Sequence, residues 1–113
     1  MDKITNKELN HLSAIHVLGW EWNDVYKCYI WGGTLRETMS KGSWNPCESI
    51  ANAWMLVEKF VHIEINKGND QLWYCTLPCD NDLNNGGTHI KEVADTAPLA
   101  ITKACLKAMG VEI

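Results

Sequence analysis

The segment GGTLRETMSKGSWNPCE, residues 32–48, gathers Arg36, Lys41, Trp44 and Asn45 within ten positions. Cations and a flat ring in that company suit recognition of an anion next to a planar group. Asn45 followed by Pro46, with Glu48 three residues on, reads as a helix start, because Asn caps, Pro fits the first turn and Glu closes a capping box. The free N–H groups and dipole of such a terminus favour anions. Arg36 is the one arginine of the chain, so a bidentate grip on phosphate or carboxylate from this subunit must use it. Trp31 and Trp73, in stretches that read as strands, offer rings on which a base could stack, and Tyr74 adds a third. Trp31, Arg36, Lys41, Trp44, Asn45 and Trp73 are therefore the candidate ligand-binding residues. For each of them taken singly, core packing or ordinary solvation is an equally good account.

Other chemistry is less well supplied. Cys75 and Cys79 are the one close pair of metal-ligating type, with His62 and His89 on neighbouring segments, and this falls short of a zinc-site pattern. Cys47, at the second position of the expected helix, is the best thiol candidate, since a helix N-terminus lowers thiol pKa, but no histidine is placed beside it. His16, on the apolar face of the first helix, reads as a core histidine. The chain contains no H-E-x-x-H, Walker loop or G-x-G-x-x-G motif. The expectation is a protein without catalytic residues, cofactor or metal, and so not an enzyme.

The elements that must position these side chains follow from periodicity. Thr5 and Glu8 form a capping box, and Leu9, Leu12, Ile15 and His16 recur at helical spacing until Gly19. WNDVYKCYIW, residues 22–31, is one strand or the later part of a hairpin, with Tyr29 and Trp31 on one side and Cys28 and Ile30 on the other. The next fifteen or so residues form a loop that has room for a short strand. A second helix runs from Pro46 to about Phe60 with Ile50, Trp54, Val57 and Val61 as its buried stripe. VHIEI and QLWYCTL are strands joined by the turn NKGND, and THIKEVA is a further strand after PCDNDLNNGG. The last helix opens at DTAP, capped by Asp95 or Thr96, turns Ile101, Cys105, Ala108 and Met109 inward, and stops at Gly110. The fold class is α+β, with three helices and a mainly antiparallel sheet of four or five strands.

Length and composition bound the rest. The 113 residues suffice for one domain, spanning 1–113, with a real core. A net charge of −4 without any basic run argues against DNA or RNA as partner. No apolar run approaches membrane-spanning length and no signal segment precedes the first helix, which points to the cytoplasm. Five cysteines, an odd count, read as reduced thiols. Six tryptophans exceed what a core of this size needs, so some are expected on a binding surface.

LGWEW at 18–22, WNPCESIANAWMLVEKF at 44–60 and DTAPLAITKACLKAMGVEI at 95–113 together resemble the phage ABA sandwich domain family, small phage and prophage proteins. The family shows a GW after its first helix, a second helix of the form NPSxDIxxAWxVVEKL and a last helix of the form DTAPxAICxAALxAxGV. Cys47 replaces a common Ser, and residues 32–43 and 66–89 follow no family pattern. The resemblance implies an α/β/α sandwich and a phage origin, hence action in the host cytoplasm. Compact phage proteins of similar build can act as sponges for immune nucleotides. By that analogy the expected function is anti-defence: sequestration, without catalysis, of a small nucleotide signal such as a cyclic dinucleotide or a cyclic ADP-ribose derivative. Because one chain has few cations, a homo-oligomer with sites between subunits is expected. The alternative is a phage protein that blocks a host protein through a Trp-rich surface.

Overall fold

The computed structural model describes residues 4–31, 37–60, 63–78 and 89–112. In chain order these form α1 (Asn6–Leu12), a π-helical turn (Ser13–Val17), β1 (Glu21–Asn23), β2 (Cys28–Trp31), β3 (Glu37–Ser40), a short 3-10 turn (Lys41–Ser43), α2 (Ile50–Val57), β4 (Glu64–Lys67), β5 (Trp73–Pro78), β6 (His89–Ala94) and α3 (Ala97–Ala108). The class is α+β. Among the described residues the strands make two antiparallel three-stranded sheets, β1-β2-β3 and β4-β5-β6, instead of one sheet of four or five. The difference arises in the first half. WNDVYKCYIW folds back on itself at Asp24–Lys27, and the long loop contributes β3, so three short strands pair locally before α2 begins.

The α1 capping box forms as its sequence predicts, with Thr5 Oγ1 accepting from Glu8 N at 3.2 Å and Thr5 N donating back to Glu8 Oε1 at 3.3 Å. The helix then widens: Leu18 N reaches Ser13 O, five residues back, at 3.2 Å. That extra residue per turn rotates the face, so Leu9, Ser13, Ala14 and Val17 are buried and His16 is exposed, not a core histidine. Gly19 ends the segment at φ 74, a left-handed conformation suited to glycine, and this turns Trp20 into the core.

α3 is the hub of the molecule. It packs on β5 and β6, on α2, and on the α1 end. Thr96 is its N-cap, with Pro98 in the first turn, and Ala100, Ile101, Thr102, Ala104, Cys105 and Leu106 are buried. Met109 is 50% exposed and lies off that face. Each large aliphatic side chain here, Ile101 and Leu106 on α3, Leu56 on α2 and Leu77 on β5, contributes about 1.5–3 kcal/mol by leaving water. The second sheet alternates: Ile65, Trp73, Cys75, Leu77, Ile90, Glu92 and Ala94 share one face, and Tyr74, Thr76, Lys91 and Val93 the other. Glu92 on the inward face is matched by Lys107 Nζ at 2.7 Å and Lys103 Nζ at 3.7 Å. β4 begins at Glu64, three residues later in the sequence than VHIEI suggests, and the turn is tightened by Gly68, where a Cβ would meet Asp70 Oδ1 at 2.6 Å.

α2 departs most from its sequence pattern. Its N-cap is Ser49, whose Oγ accepts from Asn52 N at 3.2 Å, and the residues that face inward are Ala53, Leu56 and Val57. Ile50 and Trp54, expected in the buried stripe, are each 52% exposed. Ala53 is fully buried on α2, as Ala100 and Ala104 are on α3; small residues let two helices approach closely, and that contact sets the rotation.

Candidate functional site

NPCE is a separate turn ahead of α2. Asn45 O accepts from Glu48 N at 3.1 Å and from Ser49 N at 2.8 Å, after which Ser49 starts the helix proper. Asn45 is not the cap of α2, because its side chain is engaged elsewhere: Oδ1 accepts from Asn10 Nδ2 at 2.8 Å, and Nδ2 donates to Glu48 Oε2 at 2.8 Å. Its backbone N–H goes to Asn52 Oδ1 at 2.8 Å. Asn10 holds the whole loop, since its Oδ1 also accepts from Cys47 N at 3.0 Å and its backbone O accepts from Trp44 Nε1 at 2.9 Å.

Trp44 corrects the sequence reading. It is 2% exposed, its Nε1 also lies 3.2 Å from Ser13 Oγ, and its ring is 4.8 Å from that of Trp20. The indole is a core group pinned by α1, and no open stacking face remains. Trp31 is half-buried with one face covered by Trp20, centroids 4.2 Å apart and planes within 10°. Tyr29, Trp22 and His11 extend this aromatic cluster, with His11 Nδ1 at 3.0 Å from Tyr29 Oη. Burial raises the Tyr29 phenol above its ordinary pKa. Four of the six tryptophans thus build one cluster where α1 meets the first sheet.

Arg36 and the candidate ligands His62 and Cys79 lie outside the described residues. Lys41 opens the 3-10 turn that leads into Trp44, and its side chain is likewise outside the description. Trp73 is on β5, in the other sheet, with Lys67 Nζ 5.8 Å from its ring centroid. The six sequence candidates therefore do not converge on one place. Trp31, Trp44 and Asn45 belong to the α1 side of the molecule, whereas Trp73 faces a separate cavity beside α2 and α3.

On the α1 side there is a hollow of about 480 Å3, a size typical of small-ligand sites, lined by Asn6, Lys7, Asn10, Asn45 and Glu48 around the edges of Tyr29 and Trp44. Asn6, Lys7 and Asn10 were missed from sequence. The signal for them was the polar i, i+4 pair Asn6 and Asn10 in NKELN, which places two amides on one side of α1.

The buried thiols of Cys47, Cys75 and Cys105 are not activated. Burial pushes Cys47 up to about 11, against the helix-terminus expectation, because its Sγ is enclosed and the turn ahead of α2 is not a helix start. Burial likewise raises Cys75 to about 12 and Cys105 still higher. Among the described residues no three His, Cys, Asp or Glu side chains come together in a way that could hold a metal ion. No described helix is long and apolar enough to cross a membrane.

The sequence pattern of the phage ABA sandwich domain matches residues 11–106. The chain belongs to the phage ABA sandwich domain family. Its fold is shared with a crystal structure of a phage protein from Bacillus cereus ATCC 14579, at a TM-score of 0.70 and 23% identity, covering 100% of this chain and 94% of that one. At that identity the likeness concerns fold. No curated protein matches. Within the phage ABA sandwich frame, the family's NP and DTAP motifs fall on the turn before α2 and on the start of α3, where their hydrogen bonds and caps have structural work to do.

Proposed function

We propose that this phage protein acts by binding alone, sequestering a small nucleotide immune signal, such as a cyclic dinucleotide or a cyclic ADP-ribose derivative, in the hollow between α1 and residues 42–48. The observation that carries the reading is the wall of that hollow, where the amides of Asn6, Asn10 and Asn45 stand with Lys7 around aromatic edges. Amides pair with base edges and sugar hydroxyls, and a lysine offers a point charge to phosphate. Arg36 and Lys41 precede the same loop in sequence and are the further cations the reading assigns to the ligand. Glu48 at the rim suits a hydroxyl better than a phosphate. A homo-oligomer would bring a second set of cations to each ligand, which a chain of net charge −4 needs.

The test is incubation with a panel of cyclic nucleotides, removal of free ligand, heat denaturation and analysis of what is released. Intact release is the expected outcome; an altered product would mean an enzyme, and no retention would reject sequestration. Arg36→Ala and Lys7→Ala should each weaken retention. Trp44→Ala does not serve here, because removing a buried indole reports on folding.

The alternative reading, a protein that blocks a host protein, has its own support in the β1–β2 turn. Val25 and Tyr26 are 82% and 77% exposed at its tip. The turn is held rigid by Asn23 Oδ1, which accepts from Val25 N at 3.0 Å and Tyr26 N at 2.9 Å. Pre-ordered exposed apolar groups are what a protein partner uses most readily. Pull-down from host extract that is lost in a Val25→Ser, Tyr26→Ser double variant would favour this reading over the first.

A further inference from the structure

Trp54 and Trp73 border a second cavity, of about 540 Å3, that shares no residue with the hollow beside α1. Its walls are nearly all apolar. Ile50 and Trp54 come from α2, Ile65 and Trp73 from adjacent strands, and Pro98 and Ile101 from the start of α3. Among the described residues neither indole contacts another aromatic ring, in contrast to Trp20, Trp22, Trp31 and Trp44, each of which does. Trp54, being half exposed, forms an open side of the cavity, and Trp73 on β5 forms part of its floor.

One charge stands at the edge. Lys67 is paired with Trp73 across β4 and β5 and lies one pleat beyond Ile65 on the same face. Its ammonium sits 5.8 Å from the Trp73 centroid and makes no ion pair among the described residues, whereas Lys27, Lys103 and Lys107 all have carboxylate partners. Thr96 also lines the cavity and, although it is the N-cap residue of α3, its hydroxyl makes no capping hydrogen bond.

We propose that this cavity binds a small planar aromatic anion, its ring held by Trp54 and Trp73 and its anionic group by Lys67. A ligand ring gains stacking from each aromatic face that it meets. A cation beside the Trp73 wall of an apolar cavity, with no carboxylate partner among the described residues, selects for negative charge on the ligand. A cavity of about 540 Å3 with apolar walls and a cation beside it has the size and chemistry of a small-ligand site. The occupant is accordingly a free small molecule, and this site stands independently of the nucleotide reading given above.

The experiment titrates the full chain with naphthoate and with naphthamide, its uncharged isostere, by calorimetry or ligand-detected NMR. Saturable binding of one equivalent of naphthoate per chain is expected, weakening as salt rises, with naphthamide bound about three- to fivefold less tightly. Lys67→Met should bring naphthoate down to the naphthamide affinity and leave naphthamide unchanged. Trp54→Ala, at an exposed position that folding does not need, should weaken both about tenfold or more. Equal affinity for the two probes, or unchanged binding in Trp54→Ala, overturns the proposal. So does a short peptide with an aromatic C-terminal residue that displaces naphthoate and binds more tightly, since the occupant is then a peptide.

Discussion

Asn10 on α1 donates from Nδ2 to Asn45 Oδ1 at 2.8 Å while its own Oδ1 accepts from Cys47 N at 3.0 Å. One side chain thus carries both the loop that precedes α2 and the wall of the hollow. Asn10→Ala should lower stability by about 2–3 kcal/mol, because it leaves the Cys47 N–H and the Asn45 carbonyl without partners in a half-buried setting. Asn10→Asp should cost as much or more: a carboxylate still accepts from Cys47 N, but its other oxygen is set against Asn45 Oδ1 in place of the lost donor. Urea unfolding of the three proteins, compared at equal slope, checks the order.

Trp44 offers a sharper separation of roles. If the indole is a core group, Trp44→Phe retains most of the ring packing against Trp20 but loses the bonds to Asn10 O and Ser13 Oγ. The expected cost is about 1–3 kcal/mol, against about 3–5 for Trp44→Ala. A phenylalanine variant as stable as the parent would mean that the indole N–H is not engaged as described.

How far the sequence could be read depended on whether local or tertiary contacts decide. Thr5 with Glu8, Thr96 with Pro98, and the alternation of Tyr29 and Trp31 against Cys28 and Ile30 were legible because a cap or a pleat is settled by neighbours within a few residues. The face of α2 was not legible. Ile50 and Trp54 carry far more apolar surface than Ala53, yet the close approach of α2 to α3 favours the small residue inward. His16 was misplaced for a related reason, since the π-helical turn shifts the period after Leu12 and nothing in SAIHV announces it. In the candidate site, residues 42–48 were found because Pro46 and Asn45 punctuate the chain. Their partner Asn10 was not, because a bond across 35 residues leaves no local trace.

The inverted face of α2 is itself testable. Leu56→Ala should cost about 2–5 kcal/mol and Trp54→Ser within about 0.5 kcal/mol, the reverse of what a Trp-centred stripe would give. Thermal unfolding of both variants decides it. A large loss in Trp54→Ser would restore the stripe read from sequence and remove the open side of the apolar cavity.

Gly68 should resist substitution. An alanine Cβ there would meet Asp70 Oδ1 at 2.6 Å and the Tyr74 ring at 2.8 Å, and Asp70 is already engaged by Tyr74 Oη and by Leu72 N at 3.0 Å. To relieve the contact, the turn must give up one of those bonds. Gly68→Ala is expected to lower stability by about 1–2 kcal/mol. Asp70→Ala in the same background should absorb part of that loss, giving non-additive costs in a double-mutant cycle.

The buried thiols set an alkaline limit. In the unfolded chain a thiol ionises near its ordinary value of 9.0, whereas burial holds Cys47 protonated to about 11 and Cys75 to about 12 in the folded chain. Between those values the unfolded state binds fewer protons than the native state, so stability falls as pH rises. The contribution of these thiols is complete below pH 9.0 and is lost progressively as pH climbs through the folded values. Unfolding midpoints measured across that window should therefore decline, and Cys75→Ala, a small residue in a small site, should flatten the decline. Alkylation should follow the same logic: at about pH 8 in native buffer Cys47 and Cys75 should react orders of magnitude more slowly than in denaturant, because both the thiolate and access to it require opening. Fast native alkylation of Cys47, mapped by mass spectrometry, would show instead that its thiol is exposed and activated, and would return it to consideration as a nucleophile.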